Sequence, residues 1–310
     1  AWGGSTDLAF NSLSNYSGEF FHVNLTDKVG NNTWYRGVLN GKTAWIHSSY
    51  VTKLYEQNTS YNLTLNEAVK IQQNQSQQIQ KNGKWVNADA NDIRYYMDPN
   101  NFINDAKQKF QFLDLSKPSG APISILDNHL KGKGTLKGQG RVFYNAARNY
   151  GINELYLIAH AQLETGNGTS ELASGVRVGI NEKGNLELVT NKNEQNLTDI
   201  KTTYNMFGIG AVDSDPLKGG AKTAYSNGWF TPAKAIDGGA LWISNQYIQN
   251  QHKQNTLYKM KWNPNMVNGY AWKQYATDVA WASKQVHTIY KIYEEIGYTD
   301  TMSFDYPTYR

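Results

Sequence analysis

Residues Asn153–Thr165 read as a compact apolar helix that closes at Gly166-Asn-Gly168. A helix of that character is stable only inside a body of other elements that covers it. Nine Trp, 21 Tyr and 10 Phe supply large side chains for such a body. The 310 residues suggest two domains with room for a third. Because the chain has no Cys, disulfides, Cys-bound zinc, iron–sulfur clusters and thiol nucleophiles are all excluded. No run of about 18 apolar residues offers a membrane span, and the first residues do not form a signal peptide.

The pattern changes along the chain. Residues 1–53 read as short strands. Glu19–Leu25 alternates through Phe21, Val23 and Leu25, which predicts a half-buried strand. Thr33–Leu39, the turn Asn40-Gly41 and Thr43–Ile46 predict a hairpin, since Asn-Gly tolerates the positive φ angles of a type I′ turn. Residues 54–85 are Gln-rich and predict a linker. It contains a helix over Leu65–Lys81 with a thin stripe of Ala68, Val69, Ile71 and Ile79, broken at Asn82-Gly83. Residues 86–310 read as mainly helical, with helices over Asn100–Phe112, Gly140–Tyr150, Leu217–Ser226, Pro232–Gln249 and Asp278–Ile296. Val176-x-Val178-x-Ile180 and Leu186-x-Leu188-x-Thr190 alternate about a turn and predict one β-hairpin. The expected class is α+β.

Several chemistries drop out. The Gly-rich stretch Lys131–Gly140 has neither G-x-G-x-x-G spacing nor the Lys-Ser/Thr of a phosphate loop. No G-x-S-x-G elbow occurs, and the six His show no H-E-x-x-H spacing. Net charge +4 favours an anionic partner. The basic residues are scattered instead of forming a stripe with aromatics, which argues against nucleic acid. No metal or cofactor is expected.

What remains is Leu157-Ile-Ala-His-Ala-Gln-Leu-Glu-Thr-Gly-Asn-Gly-Thr-Ser170. Glu164 falls in the last helical turn, where the partial negative charge of the helix end and apolar neighbours both disfavour its ionised form. A carboxyl that keeps its proton is what a general acid for glycoside cleavage requires. His160, one turn earlier on the same face, is placed to orient it. An ordinary solvated Glu at a helix end has the same local pattern, so periodicity alone leaves both readings open.

Five ordered segments carry a resemblance. Leu157–Ser170, Tyr204-Asn-Met-Phe-Gly-Ile209, Ala211–Leu217, Asn255–Pro264 and Gln274-Tyr-Ala-Thr-Asp-Val-Ala-Trp281 together resemble glycoside hydrolase family 73. These are bacterial endo-β-N-acetylglucosaminidases, staphylococcal autolysins among them. The resemblance covers roughly residues 86–310. It implies a mainly helical, lysozyme-like domain with a small β-hairpin lobe across a groove. Trp34 to Trp45-Ile resembles the C-terminal part of a GW repeat, an SH3-like wall-binding module, and implies an all-β piece over residues 1–53.

Carried onto this sequence, the family makes Glu164 the proton donor. It places Tyr204, Asn205, Phe207, Gly208 and Ile209 along the groove, and Tyr275 and Asp278 near its floor; His160, by its place on the helix face beside Glu164, joins them as a substrate-side candidate. Core packing is the competing reading for Phe207 and Ile209. Asp215 is the first choice for a second carboxylate, with Asp213, Asp199, Glu182, Glu187 and Glu194 as rivals. A further alternative is attack by the substrate's own 2-acetamido group. Of Trp229, Trp242, Trp262, Trp272 and Trp281, Trp262 is expected at the groove because its Lys-Trp-Asn-Pro setting suggests a loop.

The implied activity is hydrolysis of peptidoglycan between N-acetylglucosamine and N-acetylmuramic acid. A lytic transglycosylase, a muramidase, or an inactive wall-binding adhesin are the alternatives. The implied partners are glycan strands, with lipoteichoic or wall teichoic acid at residues 1–53. The implied setting is a secreted, wall-associated monomer.

Overall fold

The computed structural model describes residues 8–16, 19, 21–211, 215–267, 270–271, 273–296 and 301–310. Asp213 and Trp272 lie outside the described residues. The chain starts with strands β1 (His22–Val29), β2 (Asn32–Leu39), β3 (Lys42–His47) and β4 (Lys53–Tyr61). Helix α1 (Leu65–Gln73), strands β5 (Gln78–Lys81) and β6 (Lys84–Asn87) and helix α2 (Ala90–Met97) follow. Next come helices α3 (Ile123–His129), α4 (Gly140–Tyr150), α5 (Glu154–Glu164) and α6 (Glu171–Ser174). Strands β7 (Val176–Ile180), β8 (Leu186–Leu188) and β9 (Thr198–Thr203) precede helices α7 (Pro216–Ser226), α8 (Pro232–Ile243) and α9 (Leu257–Lys261). The chain closes with strands β10 (Met266–Val267) and β11 (Tyr270–Ala271), helix α10 (Trp281–Ile296) and strand β12 (Thr301–Tyr309).

The expected Asn40-Gly41 hairpin forms. Both turn residues have positive φ (46° and 72°) and join β2 to β3 in an antiparallel sheet of order β1-β2-β3. The strand expected over 19–25 instead runs from His22 to Val29, with Val23 and Leu25 49% and 51% exposed. β1 is the edge of an open sheet, so its alternation faces solvent where burial was expected.

Residues 54–85 are not a spacer. β4 pairs in parallel with β12 along its whole length, from Lys53 opposite Thr301 to Tyr61 opposite Tyr309. Tyr61, Ala68, Val69 and Ile79 are buried in the main core. α1 starts at a capping box, with Thr64 and Glu67 each accepting from the other's backbone N–H, and stops at Gln73. Asn82-Gly83 is then the turn of the β5–β6 hairpin, with φ of 51° and 76°. The expected helix to Lys81 is therefore half helix and half hairpin.

α5 is the spine of the main core: Leu155, Leu157, Ile158 and Ala161 are fully buried. α4 and α10 pack against it. The helix expected over Asn100–Phe112 is replaced by short 3₁₀ turns at Pro99–Asn101 and Gln108–Phe112. The Asp105 carboxylate accepts from Lys107 N (2.9 Å) and Gln108 N (2.7 Å), a local alternative that interrupts helical bonding. α8 ends at Ile243 and passes into a π turn at Ser244–Ile248, where Ser244 Oγ donates to Tyr150 O. The predicted β-hairpin forms as β7–β8, and β9 adds a third strand in the order β8-β7-β9. Val176, Val178 and Ala221 give this sheet and α7 a small core of their own. The fold is thus mixed α and β. No helix among the described residues is long and apolar enough to cross a membrane.

Candidate active site

Glu164 is the last residue of α5. Thr165, fully buried behind it, donates its hydroxyl to Ala161 O (2.5 Å) and accepts from Gly168 N (2.7 Å), which stops the helix. The chain then reverses through Gly166, Asn167 and Gly168, all with positive φ. Gly168 O receives Thr135 N and Thr135 Oγ1, and a Cβ on Gly134 would collide with that oxygen at 2.1 Å. The Gly-rich stretch 131–140 therefore seats the helix end by close backbone contact.

The Glu164 side chain is 40% exposed, open enough to meet a ligand. Burial by its surroundings nevertheless raises its carboxyl pKa, and no neighbouring charge among the described residues adds to that effect. On one side stands His160, itself 4% exposed, with Nε2 3.8 Å from Glu164 Oε1. That separation is too long for a hydrogen bond. Burial holds the imidazole neutral, its pKa lowered to about 4, so the contact is no ion pair near neutral pH. The ring is fixed from both ends: Nδ1 lies 3.2 Å from the Tyr156 hydroxyl and Nε2 lies 3.0 Å from the Tyr275 hydroxyl. Tyr275 stacks on Trp281 (4.5 Å between centroids, 27°) and touches Tyr247. Glu164 thus faces an uncharged aromatic wall.

Gly208 forms the other side. Its φ is +63°, and a Cβ there would come within 3.1 Å of Glu164 Oε2. Glycine lets this backbone approach the carboxyl. Asn205, expected along the groove, is fully buried and shapes the loop that presents Gly208. Its Oδ1 accepts from Phe207 N and Ile209 N, and its Nδ2 donates to Ile209 O and Gly220 O. Phe207 and Ile209 are buried at 4% and 7% exposure. Phe207 lies against α8, where any side chain on Gly239 would overlap its ring. Core packing, the competing reading for this pair, is what the structure shows. Tyr204 is half-buried beside Gly175, at the root of the β7–β9 sheet.

Two further expectations are corrected. Trp262 is fully buried, with Nε1 donating to Tyr96 O (3.1 Å), so it has no face for a ligand. Residues Leu257–Lys261 are helical and carry it inward, where a loop was expected. Asp278 accepts from Ala280 N (3.0 Å) and pairs with Lys284 Nζ (2.7 Å), a turn that leads into α10. Among the other tryptophans, Trp229 is buried and Trp242 is 38% exposed.

Four of the candidate second carboxylates among the described residues are engaged elsewhere. Asp215 caps α7, its Oδ1 accepting from Lys218 N (3.1 Å). Glu194 pairs with Arg177 (2.6 Å), Asp199 with Lys201 (2.8 Å) and the Tyr225 hydroxyl, and Glu187 with Asn181 (2.6 Å). Glu182 is exposed in the β7–β8 turn. Tyr156 and Tyr247 were missed from sequence. Tyr156 could have been found, since it precedes His160 by one helical turn. Tyr247 could not, because only the π turn brings it to Tyr275.

An acid-capable glutamate on a buried helix end, facing an aromatic wall and a glycine-bearing loop, is the equipment of a glycoside hydrolase. Residues 140–294 match the model of the glucosaminidase family, described as mannosyl-glycoprotein endo-β-N-acetylglucosaminidase. The chain belongs to this family. It is 42% identical over 310 residues to the bifunctional autolysin of Staphylococcus aureus strain MRSA252, matching 99% of this chain and 23% of that protein. It therefore spans about a quarter of the length of that relative. A crystal structure of a major bifunctional autolysin superposes with a TM-score of 0.62 at 40% identity, covering 84% of this chain and 100% of that one. A catalytic Glu→Ala mutant of S. aureus autolysin E, solved with the disaccharide NAG-NAM, gives a TM-score of 0.59 at 34% identity. It covers 81% of this chain and 99% of that one.

Proposed function

We propose that this chain is the glucosaminidase unit of a peptidoglycan hydrolase, with Glu164 as its general acid. The observation that carries this reading is the Glu164 carboxyl itself, reachable from outside yet raised in pKa by burial beside a neutral His160. The protonated carboxyl donates to the glycosidic oxygen after N-acetylglucosamine. The C1–O bond breaks as positive charge develops at C1, and water supplies the new C1–O bond. Gly208 leaves space beside Glu164 for a sugar, and the Tyr275 hydroxyl lies at the edge of the same surface.

For the second role, the engagement of Asp215, Glu187, Glu194 and Asp199 with other partners favours the substrate's 2-acetamido group. That group closes onto C1 as the leaving oxygen departs, and water later opens the ring so formed. The NAG-NAM ligand of the autolysin E complex supports the choice of substrate. Residues up to about 53 serve as a GW-like, SH3-like wall tether for teichoic acid, which raises the local concentration of glycan at the enzyme. The hydrolase unit runs from β4 to residue 310, since β4 pairs with β12 and Tyr61, Ala68, Val69 and Ile79 share its core, and the protein works as a secreted, wall-associated monomer.

Digestion of purified peptidoglycan by the wild type and by Glu164→Gln, with products read by mass spectrometry, tests the reading. Reducing-end N-acetylglucosamine from the wild type alone is expected. Lysis retained in Glu164→Gln overturns the assignment of the acid, and 1,6-anhydro-muramic ends would make the enzyme a transglycosylase. Deleting residues 1–53 should reduce activity on intact cells more than on short soluble glycans.

A further inference from the structure

The Gln-rich segment read from sequence as a linker contributes to a buried polar cluster directly behind the aromatic wall. Lys261, the last residue of α9, is fully buried. Its Nζ donates to Gln77 Oε1 (2.5 Å), Ala276 O (2.8 Å) and Gln274 Oε1 (3.2 Å). Gln77 Nε2 donates to Gln72 Oε1 and Gln274 Oε1, each at 2.8 Å, and Gln274 Nε2 donates to Gln72 Oε1 at 2.7 Å. Gln72 and Gln77 are buried as well. The ammonium also lies over the Trp262 ring, 4.4 Å from its centroid.

Three buried polar side chains joined to a half-buried fourth, Gln274, are costly unless every one is satisfied, and here the donors and acceptors interlock. Such a network holds the segments it joins in a single arrangement. The acceptors of Lys261 on residues 274 and 276 flank Tyr275, whose hydroxyl meets His160 beside Glu164. We propose that Lys261, with Gln72, Gln77 and Gln274, is a positioning cluster that sets Tyr275 against His160. By this route the 72–77 segment, far from Glu164 in sequence, becomes part of the support of the acid site. The inference rests on the glucosaminidase reading for its consequence in activity, and on geometry alone for its structural consequence.

The test is Lys261→Met, which keeps the length of the side chain and removes its three donors, with Lys261→Arg as the variant that restores a cation. In Lys261→Met, kcat should fall at least tenfold with KM within about twofold of wild type. A crystal structure should show the Tyr275 hydroxyl beyond hydrogen-bond distance of His160 Nε2. Lys261→Arg should recover at least part of the lost kcat. Should Lys261→Met fail to fold, Gln274→Ala removes one of the three acceptors of Lys261 at the half-buried edge of the network, and the same two readouts should shift in the same direction by less. Wild-type kcat together with an unmoved Tyr275 in the folded variant overturns the proposal. A wild-type protein inactive on peptidoglycan would overturn the functional reading instead, leaving the Tyr275–His160 distance to judge this one.

Discussion

The two ends of α5 carry the same residue type in opposite surroundings. Glu154, in the first turn, is fully buried and accepts from Ser119 N, Ser119 Oγ, Gly120 N and Ala121 N, all within 3.1 Å. The helix N-terminus adds favourable partial charge there. Glu164, in the last turn, meets the unfavourable end of the helix, a neutral His160 and a close glycine backbone. One carboxylate is saturated with donors and locks the helix to the 119–121 loop. The other is short of donors and free to exchange a proton. The difference between an anchor and an acid therefore lies in the supply of hydrogen bonds, since the residue and its helix are the same.

Five measurements can break or sharpen that contrast. The largest effect is expected at the acid end: Glu164→Gln should lower kcat on peptidoglycan by roughly 10²–10⁴-fold with little change in thermal stability. A comparable loss of kcat per folded molecule in Glu154→Gln would erase the distinction. Glu154→Gln should instead destabilise the fold by about 1–3 kcal/mol, since an amide NH₂ now faces backbone donors. Thermal or denaturant unfolding measures this, and an unchanged midpoint would deny the anchoring role.

The third effect is in pH. Because Glu164 must be protonated to act and its pKa is raised, kcat/KM should fall as pH rises through that raised value. A flat alkaline limb would contradict this. His160 acts on stability with the opposite sense. Its pKa is lowered from 6.5 to about 4 in the folded protein, so between these values the unfolded chain binds more protons. Stability is complete above about 6.5 and falls as pH drops toward 4, a dependence that His160→Gln should flatten in unfolding measured across that range. The smallest effect is expected at Asp215→Asn. Asn is an equally good helix cap, so stability should be kept, and activity should be kept as well if Asp215 only caps α7. A large loss of kcat with an intact fold would restore Asp215 as the second carboxylate.

Much of this was legible from local pattern. The Asn40-Gly41 turn, the span of α4, the β7–β8 hairpin and the placement of Glu164 at the end of an apolar helix all follow from neighbouring residues. His160 was read correctly as the neighbour of Glu164, though it works as part of a neutral wall and makes no hydrogen bond to it. The helix expected over Asn100–Phe112 failed for a local reason, the Asp105 carboxylate bonding Lys107 N and Gln108 N, whereas three other failures share a long-range cause. The β4–β12 pairing joins residues 53–61 to residues 301–309, the burial of Trp262 depends on Tyr96, and Gln72 and Gln77, which bond each other, find further partners in residues 261 and 274. Sequence alone set α4 and α5, the tight turns and the position of the acid, because those depend on φ angles, caps and periodicity within a few residues. Tertiary structure decided which carboxylates are engaged, which aromatics are buried and what lies behind Tyr275. Hydrogen-bond supply and solvation at a point in space are set by whatever the fold brings there.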